Sequence, residues 1–263
     1  MDLLRIVLGL LMSASIGALA YKRGSLSASG WLGAIITGTA TFGFGGWAHG
    51  VTLVFFFVSS TLWSRLKKNQ KAKLEQTVFE KGTRRDIWQA LANGGLGALI
   101  CYAIPIWPEH LQTFNVLFAA TMATVAADTW ATELGVLFGG TPRAITTLKP
   151  APKGTSGAVS AYGTLAALAA AVSVALVFGV VNASLSWQFV LLISLAGLVG
   201  CLFDSLLGAT VQRMYHGSEG LTERPHSPDG TPYPLIRGWR WLNNDMVNFI
   251  SSLAGALLAW LFV

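Results

Sequence analysis

Charge is missing from this chain over stretches long enough to cross a lipid bilayer. A spanning helix needs about 20 apolar residues, and eight runs of that order lie near residues 3–20, 27–44, 47–63, 88–104, 114–137, 158–181, 187–209 and 243–262. Only 11% of the 263 residues are charged, against about 25% in soluble domains, so the chain cannot coat a globule in polar surface. The expected class is therefore all-α: a polytopic integral membrane helical bundle of about eight transmembrane helices, or seven if the second and third runs are one. No strand signal and no internal repeat is visible. The same balance excludes a disordered chain, a disulfide-stapled secreted fold and a free nucleic-acid binder, although the net charge is +6. Cys101 and Cys201 sit inside apolar runs and form neither a disulfide framework nor a metal box.

Charge parity orients the bundle. Of the 18 Lys and Arg, Arg5 lies at the outer start of the first run, Lys22 and Arg23 follow it, eight lie between Arg65 and Arg85, three from Arg143 to Lys153 and four from Arg213 to Arg240. With eight spans, the first, third, fifth and seventh loops share one face and hold 17 of the 18, which the positive-inside rule makes cytoplasmic. Gly43, Gly45 and Gly46 then mark a hairpin between the second and third spans. The first run is read as a span and not a cleaved leader, because Lys22 and Arg23 directly follow it. The expectation is one membrane-embedded domain over residues 1–263 with cytoplasmic loops 64–87, 139–157 and 211–241. The seventh loop, with Pro225, Pro228, Pro232 and Pro234, reads as an ordinary connector, with a nucleotide-covering lid as the lesser reading.

Ionisable groups within spans cost several kcal/mol unless paired or hydrated, so each is a functional candidate. Four acids qualify: Asp128 and Glu133 in the fifth run, Asp204 in the seventh and Asp245 in the eighth. The topology brings Glu133, Asp204 and Asp245 near the cytoplasmic ends and Asp128 about a turn and a half deeper. Asn93 and Asn248 lie at similar depth and offer neutral oxygens. Such carboxylates either relay protons or bind a hard cation, Mg²⁺ being usual where waters and phosphate oxygens complete the shell. The fifth loop favours the cation. Lys149-Pro-Ala-Pro-Lys153 leads into Gly154-Thr155-Ser156-Gly157, which is expected to sit at the N-terminus of the sixth helix, where backbone amides and two lysines make a phosphate cradle. The histidines match no zinc pattern.

These motifs carry a resemblance. Ala127-Asp-Thr-Trp-Ala-Thr-Glu-Leu-Gly135, Thr146-Thr-Leu-Lys-Pro-Ala-Pro-Lys-Gly-Thr-Ser-Gly157, Asp204-Ser-Leu-Leu-Gly-Ala-Thr210 and Asn243-Asn-Asp-Met-Val-Asn248, with Lys81-Gly-Thr-Arg-Arg-Asp86, resemble the integral membrane family called domain of unknown function 92. That family includes transmembrane protein 19 and the phytyl-phosphate kinase of plants and cyanobacteria. Ala158 departs from the pattern, since a second glycine is expected after Gly157. The resemblance implies a membrane kinase that moves the terminal phosphoryl group of a nucleoside triphosphate, preferentially CTP, to phytyl monophosphate, giving phytyl diphosphate for tocopherol and phylloquinone synthesis. On that reading Asp128, Glu133, Asp204 and Asp245, with Asn93 and Asn248, hold Mg²⁺. Lys149, Lys153 and residues Gly154 to Gly157 hold the triphosphate, and Arg84 or Arg85 holds the phosphate of the prenyl lipid. The expected setting is the plasma or thylakoid membrane of a prokaryote such as a cyanobacterium, with the site on the cytoplasmic face and membrane lipids, not nucleic acid, as neighbours. Two rivals remain at this stage: a cation-coupled transporter and a CTP-dependent lipid-phosphate cytidylyltransferase.

Overall fold

Helices begin where the sequence supplies an oxygen for the free amides of a first turn. Ser27 accepts from the Gly30 amide to start α2 (Ala28–Ala40), and Ser160 accepts from the Gly163 amide to start α7 (Ala161–Asn182). Asp86 and Gln89 form a reciprocal capping box at α5 (Ile87–Ala103), and Asn243 caps α9 (Asn244–Trp260) through the Met246 amide. The computed structural model describes residues 3–183, 186–218 and 220–263. Its other helices are α1 (Leu3–Lys22), α3 (Trp47–Arg65), the short polar α4 (Lys68–Thr77), α6 (Leu111–Phe138) and α8 (Trp187–Thr210). Apart from α4, they follow the eight apolar runs to within a few residues. Three, α1, α7 and α8, are long and apolar enough by length and composition to cross a membrane.

The second and third runs are two helices. A π-helical turn over Thr41–Gly45 ends α2, and Gly46, with φ of 96°, reverses the chain into α3 in a conformation that side chains disfavour. Arg5 holds carbonyls of this turn, with Nε donating to Gly43 O (2.8 Å) and Nη2 to Phe44 O (3.2 Å). The first loop lies against the 64–87 segment: Arg65 donates to the Arg23 carbonyl (2.6 Å) and to Ser25 Oγ (2.7 Å), and Leu26 bridges to Arg85. These two basic loops therefore share one end of the bundle, as charge parity requires.

Helix α6 packs against α3, α5, α7, α8 and α9, while α1 and α2 lie outside this group, with α2 against α5. Ala119, Ala120, Ala123, Ala126 and Ala127 are fully buried along α6, and small residues let neighbouring backbones come close. Gly197 on α8 meets Ala123, while Gly200 on α8 and Gly255 on α9 both meet Thr124. His49, in the first turn of α3, is buried between Phe118 and Phe178, at ring-centroid distances of 4.6 and 5.2 Å. Cys101 and Cys201 are buried free thiols.

The loops correct the expectation of no strands. β1 (Arg143–Ala144) pairs antiparallel with β2 (Ala158–Val159), and β3 (Met214–Gly217) lies between β4 (Gly220–Thr222) and β5 (Leu235–Arg237). Strands of two to four residues are too short to show an alternating pattern, and only tertiary pairing specifies them. The three-stranded sheet makes the seventh loop a folded element, stitched to the third loop by Glu223 N to Val78 O (2.9 Å) and Arg224 Nε to Phe79 O (2.9 Å).

Candidate active site

The ends of α3, α6 and α8 and the starts of α5, α7 and α9 surround one cavity of about 270 Å³, roofed by the third, fifth and seventh loops. Asp128 and Glu133 reach it from α6, Asp204 from α8 and Asp245 from α9, joined by Asn93 and Asn248. Lys153, Gly154, Thr155, Ser156, Gly157 and Arg85 also line it. The structure thus gathers most of the residues singled out from sequence around one chamber.

Two of them stay away. Arg84 points to the first loop, donating from Nε to Leu26 O (2.9 Å) with its guanidinium over the Tyr21 ring, and it does not line the chamber. Lys149 follows Leu148, whose φ of 56° turns the chain outward, and is exposed on the rim of the fifth loop. The Gly154–Gly157 turn also differs from expectation. It does not run directly into the helix, because β2 and Ser160 intervene and Ser160 caps α7. The turn docks instead on the last turn of α8: Gly157 has φ of 84°, and a Cβ there would strike the Ala209 backbone.

The acids fall into two groups by partner. Glu133 pairs with Lys71 and accepts from Ser64 Oγ (2.5 Å). Lys71 is itself buried and donates to the Trp63 and Ser64 carbonyls (2.8 Å each), so it closes the C-terminus of α3. Asp245 pairs with Lys81 (2.5 Å), which also bridges to Asp86 (2.8 Å). Burial works against the charge of Lys81, but its bonds to Asp245 and Asp86 outweigh this and hold its pKa above the usual lysine value. Glu80 pairs with Arg213 (2.7 Å).

Asp128, Asp204 and Glu223 have no cationic partner among the described residues. Asp204 accepts from Ser251 Oγ (2.8 Å), and the Asn248 amide, turned to satisfy its neighbours, donates to the same oxygen (3.2 Å). Glu223 accepts from Ser156 Oγ (2.8 Å) and Gln212 Nε2 (2.9 Å), tying the fifth loop to the seventh. The three acids lie within electrostatic reach of one another. Among the described residues, no three His, Cys, Asp or Glu side chains form a ready-made metal cluster. Conversely, Arg85 and Lys153 line the cavity without a carboxylate partner among the described residues; Lys153 Nζ meets only the Val136 carbonyl (3.2 Å).

Sequence reasoning missed Lys71, Glu223 and Gln212. Lys71 carries no signal beyond being one of eight basic residues in its loop. Glu223 was hidden by reading the seventh loop as a connector. Lys81 was legible, since it opens the Lys81-Gly-Thr-Arg-Arg-Asp86 motif.

Burial lifts the Glu223 carboxyl above the usual range, against the hydrogen bonds from Ser156, the Glu80 amide and Gln212. The folded chain therefore holds this proton more tightly than the unfolded chain, and ionisation costs stability. The cost is absent below the ordinary glutamate pKa of about 4 and complete above the raised value. Glu223→Gln should accordingly gain in melting temperature relative to wild type as pH rises through this window. A wild-type-minus-variant difference that is flat with pH would contradict the assignment.

A helical bundle with a mixed-charge chamber at one end, built on motifs spread along the whole chain, defines a polytopic membrane protein with a polar site. The chain belongs to the integral membrane protein family DUF92, which matches residues 11–256. It is 33% identical to Protein PGR of Arabidopsis thaliana, over 97% of this chain and 94% of that one. It is 30% identical to the chloroplastic Protein VTE6 of the same plant, over 89% of this chain and 64% of that one. An uncharacterized membrane protein of Synechocystis sp. is 33% identical over 81% of this chain and 73% of its own length. No solved structure matches the chain.

Proposed function

We propose that the chamber is a phosphoryl-transfer site, moving the terminal phosphoryl group of a nucleoside triphosphate, preferentially CTP, to phytyl or another prenyl monophosphate. The observation that carries this reading is segregated, uncompensated charge. Among the described residues, Asp128, Asp204 and Glu223 have no ion-paired cation, while Lys153 and Arg85, which feels the Glu133 charge without bonding to it, have no ion-paired carboxylate, all in one cavity. Charged groups in such surroundings call for partners, and a metal-bound phosphate brings both signs at once.

Mg²⁺ fits the donor set in this form. It commonly takes one or two carboxylates and completes its shell with water and phosphate oxygens, so no cluster of three acids is needed. Asp128 and Asp204 would hold it, with Asn248 orienting Asp204 and Asn93 nearby, while Glu133 and Asp245 keep Lys71 and Lys81 in place. When bound, the ion would neutralise charge on the transferring phosphates. Lys153 and the Gly154–Gly157 segment hold the triphosphate, and Arg85 holds the acceptor phosphate. The acceptor is already an anion, so the site needs no general base, and its lack of a histidine is consistent with this.

Besides α1, α7 and α8, the five other helices that follow the apolar runs are also taken as spans, with the chamber on the cytoplasmic face of a plasma or thylakoid membrane. Cysteines introduced at the exposed positions Lys68, Thr147 and Asp229 should resist impermeant thiol reagents in intact cells and react in inverted vesicles. Labelling from outside at any of them would overturn the orientation.

A cytidylyltransferase would use the same contacts but break a different phosphoanhydride bond. Incubating the purified chain with Mg²⁺, CTP and phytyl phosphate separates the two. The kinase yields CDP and phytyl diphosphate, whereas pyrophosphate and a cytidylated lipid would replace this reading by the other.

A further inference from the structure

Beside the charged chamber lies a second, apolar cavity of about 80 Å³ between α1, α2, α3 and α5. Gly17, Ala34, Leu53, Val54, Phe56 and Phe57 form much of its wall. The two cavities share three lining residues, Arg85, Gln89 and Asn93, so they adjoin there.

Arg85 stands at this junction on a fixed backbone. Its amide donates to Ser25 O (3.0 Å), its carbonyl accepts from the Ser27 amide (2.9 Å), and a Cβ at Gly30 would strike that carbonyl. The guanidinium lies over Phe56 and Phe57, 5.7 and 5.6 Å from the ring centroids, which orients it against the apolar wall. No carboxylate or carbonyl accepts from it among the described residues. Two demands therefore meet at one side chain: an anion for the guanidinium and apolar matter for the slot beside it. Water or free phosphate would satisfy only one of them.

We infer that this slot receives the head-proximal part of a single-chain lipid monophosphate, whose phosphate sits on Arg85 between the two cavities. The phosphate identity of the head rests on the phosphoryl-transfer reading. A slot this small admits one chain and not the paired chains of a phospholipid. The remainder of the chain extends into the bilayer past the exposed side chains Leu32, Ile36 and Val58 on α2 and α3.

The test uses the full chain in phosphatidylcholine nanodiscs and a twenty-carbon isoprenoid monophosphate carrying a photoreactive group near its phosphate. Adducts are expected within residues 13–57 and 85–94, and excess unlabelled isoprenoid monophosphate should suppress them at least tenfold, while phosphatidic acid and the isoprenoid alcohol should not. Val54→Trp fills the slot from a partly exposed position and should reduce labelling at least tenfold. Arg85→Ala should do the same, with Arg85→Lys restoring part of it. Adducts spread over α7 and α8, equal displacement by phosphatidic acid, or labelling unchanged in both Val54→Trp and Arg85→Ala would overturn the slot. Slot labelling without phosphoryl transfer would support the slot and remove the kinase reading. Transfer without slot labelling would do the reverse.

Discussion

Asp204→Asn should lower kcat/KM for phosphoryl transfer by at least about a thousandfold, while the chain still inserts and folds. Asp204 is 8% exposed, has no cationic partner among the described residues, and presents its carboxylate to the chamber with one oxygen fixed by Ser251 and Asn248. Asparagine keeps the volume and removes the charge. A buried, unpaired carboxylate is a cost to the fold, so its neutralisation leaves stability unchanged or raised. Asp128→Asn should behave in the same way. Glu133→Gln should not, because it leaves the buried Lys71 ammonium without its partner, and breaking one side of a buried pair costs roughly 3 to 5 kcal/mol. Thermal unfolding and steady-state kinetics on the three purified variants read both effects. Near wild-type turnover in Asp128→Asn and Asp204→Asn together would remove the carboxylates from the chemistry.

The second large effect separates two lysines that look alike in sequence. Lys153→Ala should lower kcat/KM for the nucleotide by about a hundredfold, because charge-stabilising contacts to a transferring phosphoryl group commonly supply several kcal/mol. Lys149→Ala should change it by less than about twofold, as surface substitutions away from a site usually do. Lys153 lines the chamber with only the Val136 carbonyl as partner, on a loop anchored by the Gly157 contact with α8 and by the Ser156 bond to Glu223. Lys149 lies outside the chamber. Equal effects of the two substitutions, or none from Lys153→Ala, would return the fifth loop to the role of a positive-inside signal.

The long elements were legible because their causes are local. Apolar run length fixed the helices, and Gly43, Gly45 and Gly46 fixed the break between α2 and α3. The acids Asp128, Glu133, Asp204 and Asp245 stood out because charge is rare in apolar runs. What stayed hidden depends on contacts between distant segments. The sequence cannot say that Glu133 and Asp245 carry lysines while Asp128 and Asp204 do not, since Lys71 lies 62 residues from Glu133 and Lys81 lies 164 from Asp245. Glu223 lies in a loop rich in proline, where composition suggests irregularity, yet three short strands fold that loop onto the site. Arg84 and Arg85 are adjacent and chemically identical, and only the pairing of Leu26 with Arg85 turns one toward the chamber and the other away.

The most direct measurement follows the label of CTP carrying a marked terminal phosphate, with the purified full chain, Mg²⁺ and phytyl phosphate in nanodiscs. The account predicts that the label passes to the lipid as phytyl diphosphate, and that Asp204→Asn stops the transfer. A lipid fraction without label in the wild type, or label transferred equally well by Asp204→Asn, would contradict it.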